Sequence, residues 1–146
     1  MQGITDHTQH QINHHDQLLK RAVEEHSLQL AEFTHRSHLS LAYVYLVEQG
    51  FDQGYHSMTE TLRLFLKAKG VDPTKFHVTL TWAWMKAVWH FMQQSEPMSS
   101  AGEFLAANPV LLNKDVLLSH YSHDWLFSER ARTKRVRPDL NPFPDN

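Results

Sequence analysis

The stretch Phe33-Thr34-His35-Arg36-Ser37-His38-Leu39-Ser40-Leu41-Ala42-Tyr43-Val44-Tyr45-Leu46-Val47-Glu48-Gln49-Gly50 decides how this chain folds. Thr34 carries a side-chain oxygen suited to capping a helix start. The apolar positions Leu39, Leu41, Ala42, Val44 and Leu46 follow it, and Gly50 offers the left-handed stop that glycine adopts cheaply. The pattern predicts a helix over 35–48. Within it His35 and His38 stand three residues apart, so both imidazoles point toward the same side, at the start of a face that should otherwise be buried.

Working outward, the apolar positions Leu18, Leu19, Ala22, Val23, Leu28, Leu30 and Ala31 recur at roughly helical spacing and predict a first helix over 16–33. A third helix is expected over 52–68, where Met58, Thr61, Leu62, Phe65 and Leu66 make a stripe and Gly70 stops it. Asp72-Pro73 suits a cap and first turn, opening the longest helix over 74–94, rich in Trp82, Trp84, Trp89 and Phe91 and therefore central. Ser95-Glu96-Pro97 breaks it. Ser99 or Ser100 then caps a short helix that Asn108-Pro109 ends, a turn of helix follows over 115–120, and a last helix is expected over 122–134. No segment alternates with period two. The expected fold is all-α: an up-and-down bundle of about four main helices, with a smaller C-terminal helical cap and an extended proline-rich tail.

At 146 residues the chain is long enough for one domain with a real core. The expected division is a polar, His-rich, mobile start over 1–15, a helical domain over 16–136 and an extended tail over 137–146. A net charge of -2 with scattered Lys and Arg points away from nucleic acid. Cysteine is absent, which excludes disulfides, thiolate metal sites, iron–sulfur clusters and a thiol nucleophile. Neither a secretory signal nor a run of membrane-spanning length stands in the sequence, so a cytoplasmic protein with no membrane partner is expected. Histidine is the outlier, with 12 in the chain. Five of them, His7, His10, His14, His15 and His26, fall in the polar N-terminal quarter and are set aside as solvated.

The remaining histidines carry the functional reading. His77 opens the second long amphipathic segment, with Thr81 one turn later on its face. Three imidazoles from two helices, His35, His38 and His77, would hold one divalent metal ion, zinc or iron first, and leave positions for water and substrate. The expectation is a mononuclear metal-dependent enzyme acting on a small organic substrate, with hydrolase, lyase and oxygenase chemistry all open. Thr81 or Tyr45 would orient what binds, His77 is also the candidate base, and Trp84 and Tyr45 are brought toward the histidines by helical phase. Arg132, with Arg135 beside it, would take a carboxylate or phosphate, although favourable charge at a helix C-terminus is the preferred reading of that run. Glu32, Glu60 and Glu103 are candidate carboxylate partners. Di-iron bundles need a repeated Glu-x-x-His pair, and the chain has no such repeat. His120 and His123 form a second cluster able to close the pocket or shuttle protons. Two rivals stand beside the metal reading: a non-catalytic helical module that binds a ligand or partner and uses its histidines structurally, and a metal-free acid–base enzyme with His77 as base. A homodimer is left open.

Phe33-x-His35-x-x-His38-Leu39, Phe76-His77-x-Thr79-x-Thr81 and Ala131-Arg132 with Pro138-Asp139-Leu140 resemble an uncharacterised family of small bacterial all-helical proteins. That family has F-x-H-x-x-H-L and (Y/F)-H-x-T-x-T motifs. The resemblance covers most of the chain from Phe33 onward. An acidic residue often follows the third histidine in that family, where this chain has Val78. The resemblance implies a helical fold and weight at these positions, and no reaction.

Overall fold

Thr34 caps as its position requires, its Oγ1 accepting the Ser37 N–H at 3.2 Å. The helix it starts stops at Gly50 as expected, and a second helix follows across a kink, the two together making up α2 (His35–Ala68). Gly50 sits at φ 76 and ψ -173, an extended conformation of positive φ that only glycine adopts without strain. The second arm folds back on the first: a Cβ on Gly54 would meet the Tyr45 carbonyl oxygen at 3.1 Å. The expected helices over 35–48 and 52–68 are thus both present, as the two arms of α2. The computed structural model describes residues 8–144, and no strand occurs among them.

Before α2 comes α1 (His14–Glu24), capped by Asn13 and shorter than the expected 16–33. His26, at φ 64, ends that run, and Leu30–Glu32 forms a 3-10 turn instead. After α2, Asp72 caps only the 3-10 turn Pro73–Lys75, accepting the Thr74 N–H at 2.9 Å. The long helix α3 (Val78–Gln94) starts later than expected because His77 supplies its cap. It is central as anticipated, with Ala83, Trp84, Met85, Val88, Trp89 and Met92 all buried. Ser100 caps α4 (Ala101–Ala107), and Pro109–Leu112 and Lys114–Ser119 form 3-10 turns. The last helix is two: α5 (His123–Leu126) and α6 (Glu129–Thr133), divided where Ser128 accepts the Ala131 N–H at 3.1 Å and so begins a new helix. Packing runs α1 on α2, α2 on α3 and α4, and α3 on α6, around one contiguous apolar cluster.

Both ends of the described chain are tied to this core. His10, expected to be solvated, is buried at 5% exposure between Tyr43 and Phe104. Its Nε2–H donates to the Met92 carbonyl at 2.8 Å and its Nδ1 accepts the Met98 N–H at 3.1 Å. Burial of an imidazole is compatible with stability when both nitrogens are satisfied in this way. The other end, read as an extended tail, is held at several points. Trp125 donates to the Arg137 carbonyl at 2.8 Å, Asp139 accepts from the Ser122 hydroxyl at 2.6 Å, and Phe143 stacks on His120 at 4.4 Å. His7 and the rest of 1–7 lie outside the described residues, as do 145 and 146.

Candidate functional site

The first turn of α2, the first two turns of α3, the 3-10 turn Lys114–Ser119 and α5 meet around a pocket of about 560 Å³. Its floor and walls are Phe33, His35, His38, Leu80, Trp84, Leu118 and Leu126, and its rim carries Thr34, Lys114, Asp115, His123 and Phe127, all exposed. The charged groups therefore stand at the mouth. The interior is mostly hydrocarbon and aromatic ring, with two imidazoles set into it.

His38 is the unusual one. Its ring stacks against Phe33, with centroids 6.0 Å apart and planes at 27°. Its Nε2 is buried and has no hydrogen-bond partner. Such orphaned polar atoms are rare in folded proteins, and each costs about 1–3 kcal/mol of desolvation. Burial, reinforced by neighbouring His35, pushes the imidazole pKa from 6.5 down to about 4, so the ring is neutral at physiological pH.

His35 and His77 are, by contrast, engaged. His35 packs edge-on against Trp84 at 4.6 Å and donates its Nε2–H to the Leu111 carbonyl at 2.9 Å, which pins the turn Pro109–Leu112 to the start of α2. His77 uses both nitrogens. Nδ1 accepts the Leu80 N–H at 3.0 Å as the cap of α3, and Nε2–H donates to the Leu126 carbonyl at 2.9 Å. This pattern fixes a single neutral tautomer. Burial lowers the pKa of both rings, and nearby Lys114 and Arg132 push in the same direction at His35 and His77 respectively. His77 does not line the pocket; it fastens Leu126, which does.

The three imidazoles consequently do not present three lone pairs to one point. His77 has none left, and His35 has already given Nε2 to a carbonyl. Among the described residues no group of three His, Cys, Asp or Glu side chains is arranged to hold a metal ion. This donor set does not fit the expected mononuclear site. Glu60, Glu32 and Glu103 are absent from the pocket lining.

The other expected site residues divide. Trp84 lines the pocket. Thr81 does not; its hydroxyl donates back to the His77 carbonyl one turn earlier, at 2.9 Å. Tyr45 is remote from the lining, its hydroxyl donating to Glu24 at 2.6 Å and standing 2.7 Å from the Thr61 hydroxyl. Since the Tyr45 proton is spent on the carboxylate, Thr61 is the donor in the second bond. Arg132 lines a separate hollow with Arg63, Phe76 and Glu129. Of the second cluster, His123 reaches the rim, whereas His120 is paired with the tail through the Asn141 carbonyl at 2.9 Å. Lys114, Asp115, Leu118 and Phe127 were not anticipated. Their 3-10 and short helical segments carry no periodicity long enough to say which helix end they cover.

Comparison of the chain with protein-family models, with curated proteins and with solved structures finds no match. Among the described residues, no helix is long and apolar enough to cross a membrane.

Proposed function

We propose that this protein is a helical ligand-binding module that takes a small organic molecule into the pocket between α2, α3 and α5. The observation that carries this reading is the pocket itself, about 560 Å³ with mostly apolar and aromatic walls and its charged groups at the mouth, large enough for a drug-sized molecule. On this reading His35 and His77 are structural, holding the walls in place through the Leu111 and Leu126 carbonyls. The metal-dependent enzyme remains the rival, with only one nitrogen of His35 and one of His38 to offer.

The test is ligand-observed NMR with a panel of small aromatic and aliphatic fragments on the wild-type chain and on Leu118→Trp, which fills the pocket. Binding by the first and loss in the second, with near-UV circular dichroism preserved, supports the reading. A panel that binds equally well to Leu118→Trp overturns it. Metal content by plasma mass spectrometry on the same protein decides the rival: about one equivalent that disappears in both His35→Ala and His38→Ala would replace the ligand module with a metal site.

A further inference from the structure

The turn that carries Lys114 is placed by the wall of the pocket. His35 donates its Nε2–H to the Leu111 carbonyl at 2.9 Å, which fixes Pro109–Leu112 against the start of α2. Asn113 then caps the next 3-10 turn, its side-chain oxygen accepting the Asp115 N–H at 2.9 Å, and Lys114 is the first residue of that turn. The backbone thus sets this lysine at the mouth. Its ammonium group is close enough to the His35 ring to push it further toward the neutral form, and that ring packs edge-on against Trp84 at 4.6 Å. A positive charge therefore acts along one aromatic wall.

Among the described residues that charge has no ion-pair partner. Asp115 is exposed at the same mouth, yet the charge felt at His35 is that of Lys114 and not of Asp115. The rim's imidazole, His123, already has the Asp124 carboxylate 3.7 Å away. His35 itself has given its proton to Leu111, so it does not donate to an anion. Below the mouth the walls are hydrocarbon and ring, which favours an apolar body there. An occupant with one negative charge at its outer end matches both parts, and keeps that charge partly in water rather than buried beyond the reach of the lysine. A phosphate monoester would bring a charge approaching two, more than one lysine answers, and place the excess beside Asp115. We propose, building on the ligand-module reading above, that the occupant is a small aromatic monocarboxylate, its ring against Leu80, Trp84 and Leu126 and its carboxylate at the mouth on the Lys114 ammonium. The aromatic body is favoured over an alkyl chain because Trp84 and Phe33 present ring surfaces and a flat ring loses little conformational freedom on binding.

The experiment titrates the full chain with three probes that differ only at the polar end, phenylpropionate, phenylpropanol and phenylpropylamine, by protein-observed NMR. The wild-type protein should bind the acid about fivefold more tightly than the alcohol, the value of one part-exposed ion pair, and the amine most weakly. About 1 M salt should shrink that preference. Lys114→Met keeps the hydrocarbon stem at an exposed position and should bind acid and alcohol alike, with the affinity for the alcohol unchanged. Equal affinity for acid and alcohol in the wild type would overturn the carboxylate assignment and leave the ligand module standing. A preference for the acid that survives Lys114→Met would overturn the role of the lysine. Tightest binding of the amine would overturn the proposal in favour of a cation held at Asp115. Absence of shifts at Trp84 and Leu126 with all three probes would remove the ligand module itself, and the proposal with it.

Discussion

Replacing His77 separates a structural imidazole from a metal ligand. His77→Ala removes the α3 cap, worth about 1 kcal/mol. It also removes the ring N–H from the Leu126 carbonyl, costing about 1–2 kcal/mol for a partly buried acceptor. The hole left by a ring that is 8% exposed adds about 1 kcal/mol. The sum is about 3–4 kcal/mol, which at this chain length lowers Tm by roughly 10 °C. His77→Asn keeps a side-chain oxygen that caps well and loses only the reach to Leu126, so it should recover about 1 kcal/mol of the loss. Urea denaturation of the three proteins, followed by helical circular dichroism, measures both differences. A loss below about 1 kcal/mol in His77→Ala, or no gain on going from Ala to Asn, would refute the double role assigned to this ring. Should His77→Ala keep its stability and instead shed a bound metal, the ring is a ligand and the hydrogen-bond account is wrong.

Acid should weaken the fold. The unfolded chain protonates His38 near 6.5 while the folded chain resists until about 4, so stability is complete above the first value and drains as pH falls toward the second. The share from His38 is at most about 3 kcal/mol, and His35 and His77 act in the same direction. Urea midpoints that stay level over this range would contradict the burial of these rings, and His38→Leu should flatten part of the slope. Two glycines should respond oppositely to alanine. At Gly54 a Cβ meets the Tyr45 carbonyl at 3.1 Å, so Gly54→Ala should cost about 1–3 kcal/mol as the two arms are forced apart. At Gly102 a Cβ meets nothing nearer than the Ser100 Oγ at 3.9 Å, and Gly102→Ala should stabilise by about 0.5–1 kcal/mol. Thermal melts of both variants decide the pair.

The helical class was legible because its signals are local. Thr34, Ser100, Gly50 and Gly70 each act within one turn of their own position, and the structure uses all of them, with positive φ at both glycines. Apolar stripes long enough to count gave the course of α2 and α3. The site was half legible. His35, His38 and Trp84 share the pocket because two of them lie on one helix turn and the third faces them from α3. Thr81, Tyr45 and Arg132 fell elsewhere, since helical phase fixes the side a residue faces and not which neighbour waits there. His77 looked like a ligand because a histidine before an amphipathic run does not reveal that its ring will turn back to cap the helix. The His10 contacts had no sequence signal. Polar tracts read as solvated unless a distant backbone meets their donors and acceptors, and those partners stand 82 and 88 positions away.

That distance sets an order of events during synthesis. His10 leaves the ribosome long before Met92 and Met98 exist, and its two bonds require both. At typical translation rates the wait is about 5–20 s, during which the N-terminal segment is exposed backbone. Proteolysis of nascent chains should therefore concentrate on this segment and cease there once residue 98 has emerged. An affinity tag placed close before Thr8 would add its bulk to this long-range closure, whereas α1 and α2, which lie wholly before Met92 and pack on each other, would already have formed.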